Sequence, residues 1–113
     1  MIRQGEVYWL TSAGRGSEPR RRRPAVVVQH DRFNRSAIQT AVVAAVTSNL
    51  RLGDMPGNVR LRKGEANLPR AGVVNVSQVA TVDRERLSVH VGTLSRERVQ
   101  QVLDGLALVV GLD

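Results

Sequence analysis

The chain has 113 residues and no cysteine, enough for one modest hydrophobic core but with no disulfide scaffold and no thiolate metal site. Seventeen basic residues against ten acidic ones give a net charge of +7, which favours a polyanionic partner. No apolar run approaches the ~20 residues that span a bilayer, and Met1-Ile2-Arg3-Gln4 does not begin a signal peptide, so a single soluble, cytoplasmic domain over 1–113 with no membrane contact is expected.

In chain order the elements are mostly strands. Glu6 to Leu10 follows Gly5 as a short strand. Thr11 to Arg22 holds Gly14, Gly16, Ser17 and Pro19 without apolar periodicity and reads as a mobile loop. Pro24 to Gln29 is a β-branched run suited to a buried strand, with its proline at the first position, where a missing N–H costs no ladder bond. Asp31 to Ser36 is at most one helical turn, and Gln39 to Thr47 is a second Val/Ala-rich strand. Met55-Pro56-Gly57-Asn58 is turn chemistry leading into Val59-Arg60-Leu61-Arg62, whose alternation implies one wet face.

Gly72 to Val82 alternates in two registers. Val74, Val76, Ala80 and Val82 share one face, and Val73, Asn75, Ser77, Val79 and Thr81 the other. Leu87, Val89 and Val91 alternate in a final strand. The last element is a helix: Ser95 caps it, Glu97 sits in its first turn, and Leu94 and Val99 stand at staple positions. Its stripe of Val99, Val102, Leu103, Leu106, Val109 and Val110 is wide enough to cover one face of a small barrel. Gly105 weakens the helix by about 1 kcal/mol relative to alanine and permits close packing.

Two fragments carry chemistry. Arg20-Arg21-Arg22-Arg23 runs into the strand that begins at Pro24, and Thr47-Ser48-Asn49 ends the next one. The first supplies a guanidinium fork and the second a hydroxyl and an amide. If the two strands are neighbours, both groups face a single phosphodiester, an arrangement suited to cutting RNA. Arginine serves here better than lysine because it grips phosphate bidentately, and sixteen of the seventeen basic residues are arginine.

Nine fragments in order resemble the MazF/PemK family of toxin endoribonucleases. They begin with Gly5-Glu6-Val7-Tyr8-Trp9, Gly16-Ser17-Glu18 and Arg23-Pro24-Ala25-Val26-Val27-Val28-Gln29. Val46-Thr47-Ser48-Asn49, Pro56-Gly57-Asn58-Val59 and Leu68-Pro69 follow. Val73-Val74-Asn75-Val76-Ser77-Gln78, Thr81-Val82-Asp83 and Gly92-Thr93-Leu94-Ser95 complete the set. The resemblance implies a mainly-β fold, an SH3-like barrel of about seven strands with a C-terminal α-helix, shared with the CcdB-like gyrase poisons. It also implies a homodimer that cleaves single-stranded RNA without metal or other cofactor. A cognate antitoxin with an acidic C-terminal segment would silence it.

In that frame Arg23 and Thr47 match the family's catalytic arginine and threonine, and Glu18 its loop glutamate. Arg20, Arg21, Arg22, Ser48, Asn49, Asn75, Ser77 and Gln78 are the expected RNA contacts. RNA carries its own nucleophile, so the protein must hold the 2′-oxygen in line, stabilise phosphoryl charge and help the 5′-oxygen leave. The products would be a 2′,3′-cyclic phosphate, or its opened 3′-phosphate, and a 5′-OH. Arg23 acts electrostatically, since free arginine does not deprotonate below pH ~12.

Plainer readings stand beside these: Arg23 as a solvated charge, Thr47 as a strand-end hydroxyl, Glu18 as local charge balance. The general base has no assignment, and His30 and His90 read as structural or solvent-facing. Two rival classes are an inactive nucleic-acid-binding barrel, disfavoured by the presence of only Tyr8, Trp9 and Phe33 as aromatics, and a gyrase poison, which needs no phosphate clamp.

Overall fold

A computed structural model describes residues 1–12 and 21–112. Its strands are β1 (Glu6–Ser12), β2 (Arg21–Val27), β3 (Thr40–Thr47), β4 (Val59–Leu61), β5 (Gly72–Asp83) and β6 (Leu87–Thr93). A one-turn helix α1 (Asp31–Asn34) follows β2, and the C-terminal helix α2 spans Arg96–Val110. The six strands form one antiparallel, curled sheet in the order β4-β5-β3-β2-β1-β6.

The edges β4 and β6 are bridged by the turn Glu65–Asn67. Ala66 and Asn67 take positive φ there, 49° and 59°, and the Asn67 side chain donates to the Val91 carbonyl at 3.1 Å. Gly92 of β6 lies so close to the Ala66 carbonyl that any Cβ would strike it.

Two apolar clusters occupy the two faces of the sheet. The larger joins Val7, Val26, Val28, Ala44, Val46, Val74 and Val76 to Leu94 and Val102, with Val99 and Leu106 packed against it. The helix α2 lies on this cluster across β4 and β5. The smaller joins Ala25, Val27, Ala41, Val43, Val82 and Leu87, with Tyr8 and Leu10 beside it. The helix starts as its sequence dictates: the Ser95 hydroxyl accepts from the Arg98 N–H at 3.2 Å, and Leu94 and Val99 both meet the larger cluster.

Several expectations need correction. Arg21, Arg22 and Arg23 belong to β2, paired with Ser12, Thr11 and Leu10, so Pro24 sits inside the strand instead of opening it. The rest of the expected loop lies outside the described residues. The even alternation expected along Gly72–Val82 breaks, because Ala44 pairs with Val79 while Ala45 pairs with Asn75, leaving Val76, Ser77 and Gln78 as a bulge. The Asn58 side chain holds it by accepting from the Val76 N–H at 2.9 Å. The apolar stripe of α2 outruns its cover: Val109 and Val110 are exposed, as are Leu108 and Leu112. β3 itself is buried or half-buried throughout.

A charged clasp ties α2 to the sheet rim. Arg98 grips Glu65 with two hydrogen bonds of 2.9 and 3.2 Å, and the Arg62 N–H donates to the same carboxylate at 2.5 Å. The Arg98 guanidinium first, and the Arg62 N–H after it, hold the Glu65 carboxyl below its ordinary 4.5 against the opposing effect of burial. Asp31 is likewise depressed from 3.8, by the Gln4 N–H and then the Asn34 amide. A carboxyl depressed in the folded state stabilises above its unfolded pKa and loses that contribution as pH falls through the folded value. Stability is therefore expected to drop on acidification below about pH 4.5, and Glu65→Gln to flatten part of that limb. Urea midpoints from about pH 7 to about pH 3 check this, and an unchanged slope in the variant would refute it.

Candidate active site

The site begins with a missing hydrogen-bond donor. The Val28 N–H donates to the Val42 carbonyl of β3, and strand alternation points the Pro24 nitrogen to the same side. Proline has no N–H to give, and β2–β3 pairing ends one residue before it, at Ala25↔Ala45. Beyond that pair the strands part around a cleft of about 620 Å³. It is lined by Arg22, Arg23 and Pro24 of β2, by Val46 to Asn49 at the end of β3, by Trp9 of β1, and by the segment 68–72 that enters β5.

Arg23 and Thr47 each stand two residues past the last pair, on the same face of the sheet. Had the ladder continued they would be cross-strand partners; with the strands parted they flank the opening instead. Thr47 is held from its other side, where β3 stays paired with β5 through Thr47↔Val73. Gly72 makes this approach possible, since a Cβ there would lie 2.9 Å from Val46 Cγ1 and 3.1 Å from the Thr47 carbonyl oxygen.

Local hydrogen bonds orient the polar groups. The Thr47 hydroxyl accepts from the Asn49 N–H at 3.1 Å, so its own proton is left to donate. The Asn49 side-chain oxygen accepts from the Arg51 N–H at 3.2 Å, capping the turn Leu50–Asp54 and leaving its NH₂ as a donor. Arg22 and Arg23 are exposed, and the Arg22 guanidinium stacks on Trp9 with Cζ 4.9 Å from the ring centroid. Arg70 adds a further exposed cation. The described walls thus offer phosphate-binding donors from three directions.

A family model for PemK-like, MazF-like toxins of type II toxin-antitoxin systems matches residues 3–110. The chain belongs to this family. Endoribonuclease MazF6 of Mycobacterium tuberculosis H37Rv and endoribonuclease MazF2 of Mycobacterium bovis are each 38% identical to it over 113 residues, covering 99% of this chain and 99% of theirs. Among solved structures, a MazE–MazF complex from Deinococcus radiodurans superposes with a TM-score of 0.82 at 23% identity, covering 99% of this chain and 97% of that one. A mycobacterial endoribonuclease in complex with its cognate antitoxin gives 0.81 at 22% identity, covering 100% and 98%. At those identities the superpositions establish the MazF fold.

Of the residues singled out in the sequence, the structure brings Arg22, Arg23, Thr47, Ser48 and Asn49 together in the cleft. Glu18 and Arg20 lie outside the described residues, and Arg21 is placed only as the first residue of β2. Asn75, Ser77 and Gln78 do not line the cleft. Asn75 is buried, and its side-chain oxygen accepts from both the N–H and the hydroxyl of Ser77, at 3.3 and 2.8 Å. These bonds shape the β5 bulge, which explains why a polar run at mid-strand does not face the opening.

Trp9, Arg70 and the segment around Pro69 complete the MazF/PemK cleft without having been singled out as site residues. Arg70 stands two residues before the first residue of β5 and directly after the Leu68-Pro69 fragment, and that position was its signal. His30 caps α1, its Nδ1 accepting from the Arg32 N–H at 2.9 Å. His90 stacks beside Tyr8 with its Nε2 3.5 Å from Glu6. Burial, then the hydrogen bond to Glu6, pushes the Tyr8 phenol up to about 12, so it stays protonated. None of these three lines the cleft.

Proposed function

We propose that this MazF/PemK toxin is a metal-independent, sequence-specific endoribonuclease of single-stranded RNA that arrests translation and growth, acting as a homodimer in the cytoplasm. The observation that carries the reading is the meeting of Arg23 and Thr47 across the parted ends of β2 and β3. In this scheme the substrate's 2′-OH attacks the adjacent phosphorus, a P–O bond forms to the 2′-oxygen, and the bond to the 5′-oxygen breaks. The Arg23 fork neutralises charge on the phosphoryl and departing oxygens, and the Thr47 proton meets a non-bridging oxygen. Ser48 and the Asn49 NH₂ hold the flanking backbone; the 2′ proton passes to Glu18 or, where Glu18 only orients Arg23, to water, and the 5′-oxygen takes a proton from water to leave as the 5′-OH. The 2′-hydroxyl is a nucleophile that RNA supplies itself, so the chemistry calls for no metal-bound hydroxide.

Exposed Val79 and Val89 and the open end of α2 are the apolar surface that a second copy would cover. A cognate antitoxin is expected to place an acidic segment over the basic cleft and to compete with RNA. Incubating the purified protein with varied RNAs in EDTA tests the reading: 5′-OH fragments cut at short recurrent sequences are expected. Intact RNA, or cleavage only with added divalent metal, would sink it and favour a binding barrel or a gyrase poison.

The basic run makes a graded prediction. Replacing Arg20, Arg21 and Arg22 together with glutamine is expected to weaken RNA binding while turnover persists. Each lost phosphate contact lowers the slope of log K against log salt by about 0.7 on single strands. Anisotropy titrations at several salt concentrations measure it, and an unchanged slope would make the run a solvated tether.

A further inference from the structure

The cleft has a second end that phosphate chemistry leaves unused. Trp9 pairs with Pro24 and therefore lies on the opposite sheet face from Arg23, with Arg22 stacked on its ring at 4.9 Å. Leu68, almost fully buried, and Pro69 line the same opening. An indole face beside an apolar wall suits a planar, uncharged group, and the group adjoining a phosphodiester that fits this description is a nucleobase.

We infer that Trp9 is a stacking platform for one nucleobase next to the scissile phosphate, covered by Arg22 until RNA enters, and that this contact helps select the cleavage sequence. The inference rests on the ribonuclease reading above. A base stacked on indole is held more strongly than an exposed guanidinium on the same ring, so the arriving base displaces Arg22. Alternation puts Arg22 and Arg23 on opposite faces of β2, which divides their work: Arg23 takes the reacting phosphate, and the released Arg22 fork takes a neighbouring one. The chain has one tryptophan, one tyrosine and one phenylalanine, and of these Trp9 lines the cleft among the described residues. A base that seeks an aromatic partner in the described cleft meets Trp9.

Because Trp9 is the single tryptophan, its emission reads the subsite directly. The full chain is titrated with a short 2′-O-methyl RNA carrying the sequence at which it cuts, uncleavable because the nucleophile is blocked. The emission is expected to change saturably, with the midpoint given by anisotropy. An abasic nucleotide at one position beside the scissile phosphate is expected to abolish the change and weaken binding roughly 5- to 100-fold. On cleavable RNA, Trp9→Ala should raise KM over a similar range and relax base preference at that position. Trp9→Phe, which keeps a ring, should retain most of both, whereas Arg23→Ala lowers kcat. Wild-type protein that cuts RNA while its emission is unmoved by any abasic position overturns the inference. So does a folded Trp9→Ala with unchanged KM and base preference; should that variant fail to fold, Trp9→Phe and the abasic series decide. Wild-type protein that cuts no RNA overturns the ribonuclease reading and this subsite with it.

Discussion

Arg23→Ala is expected to lower the cleavage rate about 10²- to 10³-fold, the usual loss when one preorganised donor to a developing oxyanion is removed, about 2.7–4 kcal/mol. The fold should survive, because Arg23 is exposed and its backbone pairing with Leu10 does not depend on the side chain. Arg23→Lys is not expected to restore activity, since a lone ammonium cannot span two phosphate oxygens in one plane. Thr47→Ala should cost less: the neutral hydroxyl is a weaker donor, and Asn49 stands beside it. Single-turnover cleavage of a short RNA, with circular dichroism to verify folding, measures each variant. Near-normal cleavage by Arg23→Ala would transfer the phosphate role to Arg22 or Arg70, the other cations of the cleft among the described residues.

The second large effect concerns stability, and its sign separates local from tertiary reasoning. Helix propensity alone says that Gly105→Ala stabilises α2 by about 1 kcal/mol. The packing says otherwise. Gly105 is buried, and a Cβ there would collide with the Gly57 carbonyl oxygen and lie 3.0 Å from its carbon and 3.1 Å from Val76 Cγ1. Gly57 cannot easily retreat, since its φ of +79° belongs to the turn that delivers Asn58 to the β5 bulge. Accommodating the methyl must lift α2 from β5, and overpacking of this kind costs about 1–3 kcal/mol. A net fall in Tm of several degrees is expected, at about 4–8 °C per kcal/mol for a domain slightly smaller than this one. A Tm that rises would mean the helix is free to shift.

Much of the architecture was readable because its causes are local. Alternating valines announce strands wherever one face is buried, and Ser95, Leu94 and Val99 locate the start of α2 within a few neighbouring residues. The placing of Arg23 and Thr47 at one opening was also legible, because each flanks an apolar run and the two runs are neighbouring strands. What local pattern could not supply was register. The β5 bulge depends on Asn58, eighteen residues before Val76, and it sets Asn75, Ser77 and Gln78 away from the described cleft. Pro24 was read as a strand opener because a proline's cost depends on which neighbour its nitrogen faces, and that neighbour is chosen by the sheet order.

Arg70 and Trp9 show the same division. The place of Trp9 at the end of one family fragment, and of Arg70 just after another, does not say which strands flank them; they meet at the site because β5 pairs with β3 and β1 with β2. Composition, charge and periodicity set the kinds of elements and the polyanionic character of the expected partner, and the family resemblance singled out Arg23 and Thr47. The shape of the cleft, its aromatic end and the glycine contacts that let helix and turn approach were settled by contacts between distant segments. Side-chain periodicity records which face is buried, but carries no information about which strand lies alongside.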